Sequence, residues 1–296
     1  MDVKAIAFIN RKGGTGKTTL AFNIAVEIAS KGFRVSFIEC DFSTRSATYL
    51  WDPRFISMED DYYTLKDYML GDCSLEDIIY VSRRFKELEN IYFVPGGFVK
   101  EDEREIFTRH EENLKKLDRL VDFLYDKSEL IFIDTPASGN IYSLVDYLMF
   151  IPIADAVIPV IDPTNPSIDG VKPLLKLASL MGVKCPIAIC NKYKRERIFD
   201  RQTLEEISRK LFEFTPDKPE LFTVPFDQSV IDSWRKKRPI VLFKPRCKAS
   251  RAIKKIASKL VSRENLNSLN LAFSGEEAPE KLESKLEELE RLLSSE

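Results

Sequence analysis

A string of ten residues near the N-terminus, Asn10-Arg11-Lys12-Gly13-Gly14-Thr15-Gly16-Lys17-Thr18-Thr19, carries the residue types that grip phosphate. Glycines leave room for backbone N–H groups to converge on phosphate oxygens. A helix starting just after them adds the partial positive charge of its N-terminus. Lys17 is placed to reach the β- and γ-phosphates of a nucleotide, and the Thr18 hydroxyl to complete the coordination of Mg²⁺. Such a loop works only between a strand and a helix, and the sequence supplies both. Ala5-Ile6-Ala7-Phe8-Ile9 reads as a buried parallel strand, and Leu20 to Ala29 has helical spacing. Gly13, Gly14, Thr15, Gly16, Lys17, Thr18 and Thr19 are therefore expected to cradle a nucleotide.

Polar residues at the tips of other apolar runs are the second source of chemistry. Asp134 ends Leu130-Ile131-Phe132-Ile133, where a carboxylate can fix a Mg²⁺-bound water beside the phosphates. Asp41 ends the run from Arg34 to Cys40; in a doubly wound sheet that position faces the ligand crevice. Asn191 follows Pro186 to Cys190, and Asp227 follows Phe222 to Phe226.

The string KGGTGKTT, Lys12 to Thr19, resembles the deviant Walker A motif of the ParA/MinD family of P-loop ATPases. That resemblance implies an ATPase using ATP and Mg²⁺ that forms a homodimer on ATP binding, with Lys12 crossing the interface to the partner's nucleotide. Asp134-Thr135-Pro136 is similar to the family's switch II. Glu39-Cys40-Asp41 falls where the family's switch I usually has two aspartates spaced by one residue; the first position departs and Asp41 is kept. On this resemblance Lys12, Lys17, Asp41 and Asp134 are the catalytic set, with Asp41 orienting the attacking water, and Thr18, Asp41 and Asp134 surround the metal. Asn191 matches the position from which family members contact adenine. Phe222 to Val230 resembles the Pro-x-Asp loop that packs against the base, which implies Pro225 and Asp227.

The rest of the chain must position these groups. Of 296 residues, 44% are apolar, enough for a sizeable core, and no apolar run approaches membrane-spanning length. A soluble cytoplasmic protein is expected. Five cysteines form no CxxC pair, which argues against a metal or iron–sulfur site and a disulfide framework. Strands alternate with helices from Lys4 to Arg263, so residues 1–263 are expected to form one α/β domain. Its architecture is a doubly wound, mostly parallel sheet with helices on both faces. Residues 43–61 read as a loop or short helices outside the core. A polar linker over 264–279 and an acidic amphipathic helical tail over 280–296 complete the chain. Residues 276–296 hold eight acids and three bases, unlike the basic membrane anchor of MinD proteins, so no membrane contact is expected.

The net charge of −2 hides an asymmetry. From Arg235 to Arg263 there are twelve Lys and Arg and no acid. Arg251, Lys255 and Lys259, spaced by four with Lys254 beside them, line one side of a helical segment whose other face is apolar. These four are candidate contacts to DNA phosphates. The leading expectation is a ParA-type ATPase that binds DNA without sequence preference in chromosome or plasmid partitioning, served by a ParB-like or other adaptor. The alternative is a MinD-like positioning ATPase acting through a protein partner.

Overall fold

A computed structural model describes residues 4–57, 61–100, 110–137, 149–194, 200–215 and 218–261. Seven strands form one sheet: β1 (Ala5–Ile9), β2 (Val35–Glu39), β3 (Ile91–Val94), β4 (Leu130–Asp134), β5 (Ala156–Ile161), β6 (Ile187–Tyr193) and β7 (Glu220–Pro225). Their order is β3-β2-β4-β1-β5-β6-β7, and every pairing is parallel. Apolar residues on both faces of a strand require cover on both faces of the sheet. In β1, Ala5, Ala7 and Ile9 join one core layer while Ile6 and Phe8 join the other.

Helices α1 (Lys17–Ala29), α2 (Ser46–Trp51), α3 (Arg54–Ser57), α4 (Leu65–Leu70), α5 (His110–Tyr125), α6 (Asn165–Leu180), α7 (Asp200–Phe212), α8 (Gln228–Arg235), α9 (Ile240–Phe243) and α10 (Lys248–Leu260) supply that cover. Helix α1 is apolar almost all round, because it lies between the sheet and α10. Helix α4 has a defined start and stop: Thr64 and Asp67 form a capping box, and Gly71 closes it at φ 93°.

One expectation is corrected. Residues 43–61 do not stay outside the core: Ala47, Leu50 and Trp51 of α2 are buried, and Trp51 is 1% exposed. Their i, i+3, i+4 spacing is a short helical face, masked in the sequence by the acidic run that follows it. The Trp51 ring stacks on Phe93 of edge strand β3 at 4.5 Å and meets Phe55 edge-on at 4.7 Å. Segment 195–199, Arg263, the expected linker and the expected tail lie outside the described residues.

Candidate nucleotide site

Strand β1 sits at the centre of the sheet, between β4 and β5, and the phosphate loop springs from its C-terminal tip. Parallel pairing brings the tips of β2 and β4 alongside: Glu39 is opposite Asp134, and Phe8 is opposite Asp134 on the other side. The acids expected at strand ends thus converge on the loop. A cleft of about 510 Å³ opens there, lined by Gly13, Gly14, Gly16, Lys17, Thr18 and Thr19 together with Asp41, Asn191, Pro225 and Asp227.

The loop is built by three local ties. Asn10, fully buried, donates through Nδ2 to the carbonyls of Val160 (2.8 Å) and Ser167 (3.1 Å), and accepts from the Lys12 amide at 2.8 Å. Lys17 Nζ donates to the Asn10 carbonyl at 2.8 Å, closing the loop end to end. Asn191 Nδ2 donates to the Thr15 carbonyl at 2.8 Å. Gly16 caps α1 at φ 97°, and a Cβ there would lie 2.2 Å from Asn191 Nδ2. Arg11 stands where the general phosphate-loop pattern has its first glycine; its φ is not positive, so that position needs no glycine here.

Burial sets the electrostatics. Lys17 is 6% exposed; desolvation lowers its pKa, and the charges of Asp134 and Asp41 pull it back up. Asp134 is fully buried, and burial pushes its carboxyl well above the usual range, with the Thr18 hydroxyl and the Lys17 charge pulling the other way. Neither Asp134 oxygen has a hydrogen-bond partner of good geometry. A buried carboxylate left without donors is suited to a cation. The residues present therefore fit Mg²⁺, with Asp134 and Thr18 as the groups that would hold it.

Asp41 is nearly buried but occupied. Its Oδ1 accepts from the Ser43 amide (3.0 Å), the Ser43 hydroxyl (2.6 Å) and the Thr44 amide (3.2 Å), while Oδ2 accepts from the Thr44 hydroxyl at 2.7 Å. Glu39, the position that departs from the motif, has an anchoring place. Its carboxyl accepts from Ala47 N (2.6 Å), Thr48 N (3.2 Å) and the Thr48 hydroxyl (2.5 Å), tying β2 to α2. Burial raises its pKa to about 7.

The remaining expected residues divide. Lys12 is at the loop but turned onto its own chain: Nζ lies 2.7 Å from Asp162 and 3.0 Å from the Thr164 hydroxyl. Asp162, at the tip of β5, escaped the sequence reading although it follows the same apolar-run-then-acid pattern as Asp134. Asp227 borders the cleft, yet its carboxylate is committed to two helix starts, accepting from Ser229 N at 3.0 Å and Ala249 N at 3.2 Å. Against the upward pull of partial burial, those amides hold it down to about 2. The basic stripe is likewise divided. Lys254 pairs with Glu27 (3.7 Å) and Lys259 with Glu220 (2.9 Å), whereas Arg251 and Lys255 have no ion pair among the described residues.

A family model described as an AAA domain matches residues 3–188, more than half the chain. The chain belongs to that family, the MinD/ParA-like P-loop ATPases. A curated relative, an uncharacterized ATP-binding protein of Methanocaldococcus jannaschii, is 28% identical over 257 residues, 87% of either chain. Among solved structures, the septum site-determining protein MinD of Pyrococcus horikoshii OT3, complexed with Mg-ADP, superposes with a TM-score of 0.68. It is 24% identical over 88% of this chain and 96% of that one. MinD in the MinC:MinD complex of Aquifex aeolicus gives 0.67 at 23% identity, over 87% and 95%. The fold of this P-loop ATPase is thus shared along nearly its whole described length. No helix among the described residues is long and apolar enough to cross a membrane.

Proposed function

We propose that this P-loop ATPase is a Mg-ATP-dependent dimerising switch whose dimer binds DNA without sequence preference, acting in partitioning. The observation that carries the reading is the placement of its free cations. Trp234 of α8 and Ile253 of α10 line the nucleotide cleft. Around them, on the same helices and the turns between, Lys236, Arg246, Lys248 and Arg251 are exposed and carry no ion pair among the described residues. Nucleotide and phosphate-binding surface therefore share two helices.

In the cleft, Lys17 and the loop amides would hold the phosphates, and Asn191 and Pro225 would border the base. Asp41 would have to release its hold on Ser43 and Thr44 to orient water. Mg²⁺, when bound, neutralises charge on the phosphate oxygens. Dimerisation doubles the number of cations facing one duplex, which makes DNA binding depend on ATP through avidity.

A second reading, positioning through a protein partner as in a MinD-like ATPase, is favoured by one observation. Lys254 and Lys259 are neutralised within the chain, which thins the stripe expected to meet DNA. Fluorescence anisotropy of a labelled duplex, with and without ATP, tests the choice. The DNA reading expects binding only with ATP, and loss of binding when Lys236, Arg246, Lys248 and Arg251 are reversed to Glu while ATP-dependent dimers persist. Parent-like DNA affinity in that variant moves the partner-protein reading ahead.

A further inference from the structure

We infer that the tip of β6 is a brace for the phosphate loop, with Lys192 as a positioning residue beside Asn191. The two are consecutive, and they hold consecutive carbonyls of the loop. Asn191 Nδ2 donates to the Thr15 carbonyl at 2.8 Å, and Lys192 Nζ donates to the Gly14 carbonyl at 2.5 Å. A trans peptide is planar, so its C=O and the following N–H point in opposite directions. Drawing the Gly14 and Thr15 carbonyls toward β6 therefore turns the amides of Thr15 and Gly16 away from it. Those amides belong to the string that must present donors to an anion.

The backbone bears the mark of this task. The β6–β7 register is irregular between Cys190 and Tyr193, and Lys192 sits at φ 56°. A lysine in the left-handed region is uncommon, and such conformations persist where surrounding contacts hold them. Here the bend swings two neighbouring side chains to the same loop, where a regular strand would send them to opposite faces. Gly14, at φ 74°, has nothing within 4 Å of where a Cβ would stand. The Lys192 ammonium holds the Gly14 carbonyl directly. Lys192 also adds a cation at the loop beside Arg11, Lys12 and Lys17, and its charge helps keep Asp162 ionised.

The brace acts on phosphate, not on the base, and rests on the reading of the cleft as an ATP site. It is tested on the full chain by isothermal titration with ATP and, separately, with inorganic tripolyphosphate, which has no base. Lys192→Asn is the informative variant, because asparagine tolerates the left-handed backbone while lacking the ammonium. Lys192→Asn is expected to weaken both ligands roughly tenfold, the scale of one charge-assisted hydrogen bond. Lys192→Arg recovers most of the affinity for both ligands. Parent-like tripolyphosphate affinity in Lys192→Asn overturns the brace. Should the parent bind tripolyphosphate but not ATP, the nucleotide reading fails and the brace is still judged on tripolyphosphate.

Discussion

Lys12 and Asp162 form an ion pair of 2.7 Å within one chain, so the lysine that the family motif sends to a partner is held in cis. The pair is partly open to solvent, 32% and 12% exposed, and such pairs contribute about 0.2–1 kcal/mol. On the dimer reading, an ATP-bound partner would need to offset only a contribution of that size. Lys12→Ala is expected to bind ATP as the parent does and to remain monomeric in analytical ultracentrifugation. Asp162→Asn frees the lysine and should shift ATP-dependent dimerisation to a protein concentration lower by about two- to fivefold. Unchanged dimers in Lys12→Ala remove the cross-interface role.

The converging charges of Lys17, Asp41 and Asp134 predict three separable phenotypes, read by the melting-temperature rise that ligand binding produces. Lys17→Ala should show no rise with ATP. Asp134→Asn, which replaces a buried carboxyl whose ionisation burial opposes, should melt no lower than the parent without ligand and lose the Mg²⁺-dependent part of the rise. Asp41→Ala should keep the rise and lose phosphate release. Equal turnover in Asp41→Ala and the parent excludes Asp41 from the hydrolytic step.

Asp227 caps α8 and also accepts from α10, so its loss should be felt in stability more than in nucleotide affinity. Asp227→Ala is expected to lower unfolding stability by about 1–2 kcal/mol in urea at pH 7. Its folded pKa of about 2 lies below the ordinary aspartate value of 3.8. The unfolded state therefore binds the proton more readily, and the ionic part of this contribution is present above about pH 4 and lost as pH falls toward 2. The gap between parent and Asp227→Asn should narrow over that interval. A gap independent of pH assigns Asp227 no ionic role.

If the exposed cations meet DNA phosphates, the logarithm of the affinity must fall linearly with the logarithm of salt concentration. Replacing Lys236 and Lys248 by Gln removes four cations from a dimer and should lessen that slope by about four, roughly equally for duplexes of different sequence. Anisotropy titrations at four salt concentrations measure it. A slope unchanged in the double variant leaves those two residues as solvated surface.

Much of this architecture is written in local pattern. Alternating strands and helices, the phosphate string and Asp134 at a strand tip are each set by neighbours in sequence, and parallel pairing carries them to one crevice. What stayed hidden depends on distance along the chain. Asp162 and Lys12 are 150 residues apart, and nothing local marks them as partners. Lys192 acts on Gly14 across 178 residues, through a bend in β6 that no propensity signals. The even spacing of Arg251, Lys255 and Lys259 was legible, but Glu220, which pairs with Lys259, comes from β7. Trp51 was missed because a six-residue helix has too few turns to display its face.

The clash at Gly16 makes the loop's glycines unequal under mutation. At Gly13 an added methyl would rest 3.6 Å from Ala137 Cβ, an ordinary contact. At Gly16 a methyl meets the Asn191 amide at 2.2 Å, and a backbone at φ 97° excludes it a second time. Shortening Asn191 clears the space but not the torsion, and it releases the Thr15 carbonyl as well. A change at either position therefore disturbs what the other holds in place. In a mutational library selected for folding alone, the two sites should behave as one frozen unit, while Gly13 tolerates alanine.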